Sequence, residues 1–291
     1  MRLVTFSDDA GQRVGCLDGD DILDLTGSGL PADMPSLIDL LVRDGAGSVR
    51  GKLVGARRLP ASSVSLCAPM PRPRKNLFCV GKNYHEHAKE FAASGYDATA
   101  KTAIPELPII FSKPPTTVIG PGEPIPAHLD PTASVDYENE LAVIIGKPGR
   151  GISKARAFEH VFGYTIVNDV TSRHLQRDHK QWFLGKSIDG FCPMGPAIVI
   201  ADEIADVRRL RLRTWINGEL RQDACVDDLI FDIPTLIETL SRTMTLETGD
   251  IIATGTPAGV GIGFDPPRFL KAGDRIELEI DALGRLANPV G

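Results

Sequence analysis

From Asn76 onward the chain is a succession of short apolar or alternating runs, each closed by Gly, Pro or Asn-Gly. NLFCV, LPIIFS, ELAVII, FGYTIVND, AIVIA, LRLRTWING, DIIATG and RIELEI follow one another in this way. Runs of this length with turn residues at their ends read as strands. Helical apolar patterning is confined to roughly 83–93, 153–160 and 233–243. That balance excludes a regular β-α alternation and predicts an α+β, β-dominated fold.

Upstream, Arg2 to Phe6, Arg13 to Leu17 and Asp21 to Leu25 are separated by DDAG and DGDD turns and read as three small strands. A helix is expected from Ser36, with Leu37, Ile38, Leu40 and Leu41 as its apolar stripe and an end near Gly45. The segment APMPRPRK then carries Pro69, Pro71 and Pro73, which neither a helix interior nor a central strand tolerates. At 291 residues the chain exceeds the commonest domain size. The expected division is a small N-terminal α/β domain (1–67), a Pro-rich linker (68–75) and a larger domain (76–291).

A net charge of -6 argues against nucleic acid as a partner, which would need a clustered basic surface. The cysteines (Cys16, Cys67, Cys79, Cys192 and Cys225) are scattered and never form a C-x-x-C pair, the pattern of free thiols in a reducing compartment. MRLVTF turns polar at Ser7, too soon for a signal peptide, and LAVIIG is strand-sized rather than membrane-sized. The expectation is a cytoplasmic protein that engages no membrane.

Chemistry concentrates in five places. In VDYENELAVII, Glu138 and Glu140 are two apart, so on a strand they share a face, with Asp136 on the same side. An exposed acidic face would account for them, but the apolar residues that follow bury the strand, and buried like charges call for a cation. Asp169 ends the run FGYTIVND and would complete an all-oxygen triad suited to Mg²⁺ or Mn²⁺, with Ca²⁺ admissible. His87 and Glu90, three apart in GKNYHEHAKE, share a helix face, where the carboxylate would raise the basicity of the imidazole. The weakly patterned 92–105 stretch has the length of a mobile lid. Lys186, Arg173 and Gln176 could serve an anionic substrate, and the loop after DIIATG offers backbone N–H groups for an oxyanion.

Taken in order, GKNYHEHAKE, PIIFSKPPTTVIGPG, DYENELAVIIG, FGYTIVNDVTSRHLQ, GKSIDGFCPMGP and ATGTPAGVG resemble the fumarylacetoacetate hydrolase family from about Asn76 to the C-terminus. The resemblance implies a mixed β-sandwich roll, assembled as a homodimer. It implies Glu138, Glu140 and Asp169 as metal ligands, and His87 and Glu90 as a catalytic dyad on the lid. Lys186 would stabilise an oxyanion or enolate, and Arg173, Gln176, Gly255 and Thr256 would contact substrate. One departure is His174, where members of the family often have Asp; it bears on substrate contacts rather than on the metal.

The expected activity is metal-dependent cleavage of a C–C bond next to the carbonyl of a small 2-oxo or 2,4-dioxo acid, of the acylpyruvate hydrolase type, through a metal-stabilised enolate. Oxaloacetate decarboxylation shares most of that site and is the first alternative. Isomerase activity on 2-hydroxyhepta-2,4-diene-1,7-dioate, ureidoglycolate cleavage, and a 2-oxo-acid-binding protein without chemistry are the others.

Overall fold

Strand Asn139–Ile145 organises the molecule, because all of its residues are buried. Leu141, Val143 and Ile145 enter one apolar cluster, while Ala142 and Ile144 enter a second on the opposite face. A strand covered on both faces has no solvent side on which a polar residue could rest.

The computed structural model describes residues 1–97 and 103–291. Its principal sheet runs, in order, Arg57–Pro60, Asp21–Asp24, Gly11–Asp18, Arg2–Asp8, Cys192–Ile200, Val161–Asn168, Asn139–Ile145, Ile251–Ala253, Leu77–Gly81 and Ile109–Lys113. The pair Ile251–Ala253 with Leu77–Gly81 is parallel and its neighbours are antiparallel, so the sheet is mixed. A second, antiparallel sheet holds Glu219–Cys225, Arg211–Ile216, Arg275–Ile280 and Gly284–Pro289. Its hairpin turns at Asn217 (φ 52°) and Gly218 (φ 82°), the positive-φ pair that an Asn-Gly turn supplies. Leu212, Ile216, Ile276, Leu278 and Leu286 of this sheet share one cluster with Leu141 and Val143 of the first. The β-dominated α+β class expected from the sequence is thus present, as a mixed sheet joined through its core to a smaller one.

The N-terminal strands continue the principal sheet, with Arg2 opposite Val199 and Leu3 opposite Ile198. Helix Met34–Asp44 is capped by the Asp33 carboxylate, which accepts from the Ser36 N–H at 2.9 Å. Its Met34, Leu37, Ile38 and Leu41 are buried. Residues 68–75 form neither helix nor strand, and Ala68, Pro69, Met70 and Pro73 are buried, with Thr5 Oγ1 donating to Pro69 O at 2.7 Å.

Three local expectations differ from the structure. The 153–160 stretch forms a 3-10 helix, Lys154–His160, without a side-chain cap. Short helices at Gly47–Leu53, Arg173–Asp178 and Phe183–Lys186 carry too few residues to show a period. The AIVIA strand begins earlier, at Cys192, and passes through Pro193 and Pro196. Pro196 falls where the ladder is irregular, between the pairs Ile166–Gly195 and Tyr164–Val199, so its missing N–H breaks no regular run. Among the described residues no helix is long and apolar enough to cross a membrane.

At Gly163 two strands of the main sheet approach backbone to backbone. A Cβ at this position would lie 2.3 Å from Val199 O and 3.1 Å from Ile200 Cα, both backbone atoms. Gly163→Ala is therefore expected to destabilise the fold by about 2 kcal/mol and lower the thermal midpoint by several degrees. An unchanged midpoint in calorimetry would mean that the two strands can part there at little cost.

Candidate metal centre and pocket

Two neighbouring strands deliver the acids. Asn139 pairs with Asn168, and just beyond that pair the Asp169 N–H donates to Glu138 O and the Glu138 N–H donates to Asn168 Oδ1, each at 2.9 Å. Glu138 thus sits in the break between Val135–Asp136 and Asn139–Ile145 rather than within a continuous strand. The even spacing still sends Glu138 and Glu140 to one place, and Asp169 joins them from the adjacent strand end. One carboxylate oxygen from each lies within 4.8 Å of the others, and all three residues are buried.

Buried cations hold this charge. Lys186 Nζ bridges Glu138 Oε2 at 2.8 Å and Asp169 Oδ2 at 2.9 Å, and lies 4.9 Å from the Phe111 ring centre. Lys113 Nζ is 2.8 Å from Asp169 Oδ1 and donates to Val170 O and Lys186 O. Arg173 reaches Glu138 Oε1 at 2.7 Å and Asp136 Oδ2 at 2.8 Å. Burial opposes the ionisation of Glu138, but Lys186 and Arg173 outweigh it and hold its pKa below the usual carboxylate range. Burial likewise opposes the charge on Lys186, which Asp169 and Glu138 keep protonated.

Four buried carboxylates face three cations, and Glu140 is the acid without an ion pair among the described residues. It accepts the Gly255 N–H at 2.8 Å, so that loop amide holds a carboxylate. Burial, then Asp169 and Glu138, push the Glu140 pKa well above its usual range. An uncompensated carboxylate beside two others is the electrostatic setting that a divalent cation relieves, and an all-oxygen donor set suits a hard ion. The residues fit a metal on these grounds.

Helix His85–Ala93 follows the strand Leu77–Gly81 and carries the expected pair. His87 Nδ1 lies 3.0 Å from Glu90 Oε2, and the Gly259 N–H donates to Glu90 Oε1 at 2.9 Å. His87 is buried and lines the same pocket as Glu138, Glu140, Arg173, Gln176, Lys186 and Thr256. Phe91, Phe111 and Trp182 form an aromatic wall, with ring centres of Trp182 5.9 Å from Phe91 and 5.4 Å from Phe111. Arg173 Nη1 donates to Gln176 Oε1 at 3.2 Å, while its buried Nη2 has no hydrogen-bond partner among the described residues.

His174 does not line this pocket; it stacks on Tyr96 with ring centres 5.7 Å apart. The lid expected over 92–105 is described only in part, because residues 98–102 lie outside the described residues. Before them, Asp97 pairs with Lys82, a pocket residue, at 2.7 Å.

Sequence reading missed Lys82, Lys113, Trp182 and Gln222. Gln222 donates to Thr256 Oγ1 at 2.9 Å and accepts from Thr214 Oγ1 at 2.8 Å, tying the Gly-rich loop to the second sheet. Lys113 left one trace, a lone cation closing an apolar strand before a Pro pair.

Comparison with known proteins places the chain in a family. The family model described as fumarylacetoacetate (FAA) hydrolase, C-terminal, matches residues 76–291. Over 238 residues the chain is 53% identical to the oxaloacetate tautomerase YisK of Bacillus subtilis (strain 168), covering 82% of this chain and 77% of that protein. The fumarylacetoacetate hydrolase structure from psychrophilic Exiguobacterium antarcticum aligns with a TM-score of 0.84 at 41% identity, covering 100% of this chain and 99% of that one. The structure of maleylpyruvate hydrolase from Sphingobium sp. SYK-6, in complex with manganese(II) and pyruvate, aligns at 0.80 and 37% identity over 100% and 98%. With most of its length matched by the family model and its whole fold shared with these structures, the chain belongs to the fumarylacetoacetate hydrolase family of enzymes.

Proposed function

We propose that this enzyme interconverts the enol and keto forms of oxaloacetate, using a divalent metal. The observation that carries the reading is a pocket lined by Glu138, Glu140 and His87, with Asp169 completing the carboxylate triad and Glu90 hydrogen-bonded to the imidazole. Likeness to the oxaloacetate tautomerase of Bacillus subtilis supports the choice of substrate. Assembly as a homodimer and a cytoplasmic location belong to the same proposal.

Conversion of enol to keto moves one proton from the C2 hydroxyl to C3, with the His87 imidazole as the group that takes it and returns it. Glu138, Glu140 and Asp169 would hold Mg²⁺ or Mn²⁺, which supplies Lewis acidity at the C2 oxygen. Glu90 accepts from His87 Nδ1–H and fixes the tautomer in which Nε2 exchanges the proton at C3. Lys186 offsets negative charge developing on the C2 oxygen. The unpartnered Nη2 of Arg173 donates to a substrate carboxylate, with Gln176 and Thr256 orienting the acid beside it. Phe91, Phe111 and Trp182 exclude bulk water.

A second reading, hydrolysis of an acylpyruvate, is favoured by the likeness to maleylpyruvate hydrolase. There the His87–Glu90 pair would deprotonate a water that attacks the C4 carbonyl.

The two readings separate in one assay. Purified, Mn²⁺-loaded protein is given enol-oxaloacetate and, in parallel, acetylpyruvate, with enol absorbance and pyruvate release both followed. Rapid loss of enol without matching pyruvate is expected, and His87→Ala should lower kcat about a hundredfold or more. Fast acetylpyruvate cleavage without enol acceleration would transfer the reading to the hydrolase, and fast pyruvate release from oxaloacetate to a decarboxylase. Separately, calorimetric titration of Glu140→Gln should show no Mn²⁺ binding; undiminished affinity would remove the triad from the argument.

A further inference from the structure

The two halves of the pocket come from different parts of the fold. The acids stand at strand ends of the main sheet, and His87 and Glu90 stand on a helix. Their separation must be fixed by contacts, and one buried residue outside both groups touches the route between them.

Asp136 is fully buried. Its Oδ1 accepts from the Tyr137 N–H at 2.9 Å and the Gly261 N–H at 2.6 Å. Its Oδ2 accepts from Arg173 Nε–H at 2.8 Å and the Ile262 N–H at 3.1 Å. On one side, Arg173 continues to Glu138 Oε1 at 2.7 Å. On the other, the loop that Asp136 grips holds Glu90. The Gly259 N–H donates to Glu90 Oε1, and Gly263 lies so near that a Cβ there would be 1.9 Å from the same oxygen. The Tyr137 hydroxyl donates to Gly259 O at 2.7 Å and steadies that peptide. The chain of contacts is continuous from Glu138 through Arg173, Asp136 and the 259–263 loop to Glu90 and His87.

We propose that Asp136 is a positioning residue that, through Arg173 and the 259–263 loop, sets the His87–Glu90 pair in register with the carboxylate triad. The inference rests on the roles proposed above for the pair and the triad. A carboxylate is suited to the task because all four partners are donors. Asparagine would turn one oxygen into an NH₂ group facing donors, leaving at least one loop amide or the guanidinium unpaired. Displacement of a catalytic group by about an ångström costs roughly a hundredfold in rate.

The test is Asp136→Asn in the full chain, read in three ways. Mn²⁺ should still bind, and kcat should fall about tenfold or more, with KM rising as the hold on Arg173, the proposed carboxylate donor, loosens. The ¹⁵N resonances of the His87 ring, identified by their absence in His87→Ala, should move away from their wild-type positions as the hold on Glu90 loosens. A folded variant with a lowered thermal midpoint but wild-type His87 resonances and kcat would overturn the proposal, since that is the signature of a purely structural residue. Should Asp136→Asn fail to fold, Tyr137→Phe slackens the same loop without removing a buried charge. It should move the His87 resonances in the same direction by a smaller amount, and unmoved resonances there overturn the route through the loop. A wild-type protein inactive on oxaloacetate would sink the functional reading, yet the His87 resonances would still decide the positioning role.

Discussion

The site depends on a cluster of buried carboxylates in which one, Glu140, has no ion pair among the described residues. An isolated ionised group in an apolar interior is so costly that it takes a proton or finds a partner. Glu138 and Asp169 have partners, since Lys186 bridges them and Arg173 and Lys113 take their outer oxygens. Glu140 has a backbone amide and the field of its two neighbours. The fold tolerates this imbalance because the strand beneath is packed on both faces and cannot yield. Rigid walls and one unmatched charge together leave a cation as the natural complement.

That logic explains which parts of the site were legible in the sequence. Glu138 and Glu140 betray themselves by a spacing of two before an apolar strand, and His87 and Glu90 by a spacing of three on a helix. Both are local periods, and the structure brings Glu138, Glu140 and His87 into one pocket, with Glu90 bonded to the imidazole. The counter-charges have no local signature. Lys113 meets Asp169, and Asp136 meets Arg173 and Gly261, only because distant strands and loops come together. Contacts of this kind are set by sheet order, which patterning within a single run does not encode. The same holds for the N-terminal strands. Their alternation announced strands, but their union with the main sheet depends on the register of Leu3 against Ile198.

Where local signals failed, the reasons are equally physical. Residues 153–160 have helical spacing, but the Ser153 side chain does not cap the first turn, and the backbone takes 3-10 geometry. The helices carrying Arg173 and Lys186 span Arg173–Asp178 and Phe183–Lys186, too short to display an amphipathic period. Both deliver a buried cation to the acids, so the sequence exposed their charges while hiding the turns that aim them.

The chemistry that divides this family lies beyond the shared half of the site. Tautomerisation, decarboxylation and hydrolysis all place negative charge on the oxygen at C2, so in the roles proposed above the triad and Lys186 would serve each equally. They part at what happens near C3 and C4. Proton exchange at C3 requires one ring nitrogen at the carbon, whereas hydrolysis requires room for a water between that nitrogen and C4. Beside His87 stand Phe91, Phe111 and Trp182, with the Trp182 ring edge-on to both phenylalanines. Phe91 rides on the same helix as His87, with ring centres 6.1 Å apart, so a shift of that helix moves both. Under the proposed function, the choice between reactions would be coupled to the placement of the helix, which the Gly259 N–H helps to hold through Glu90.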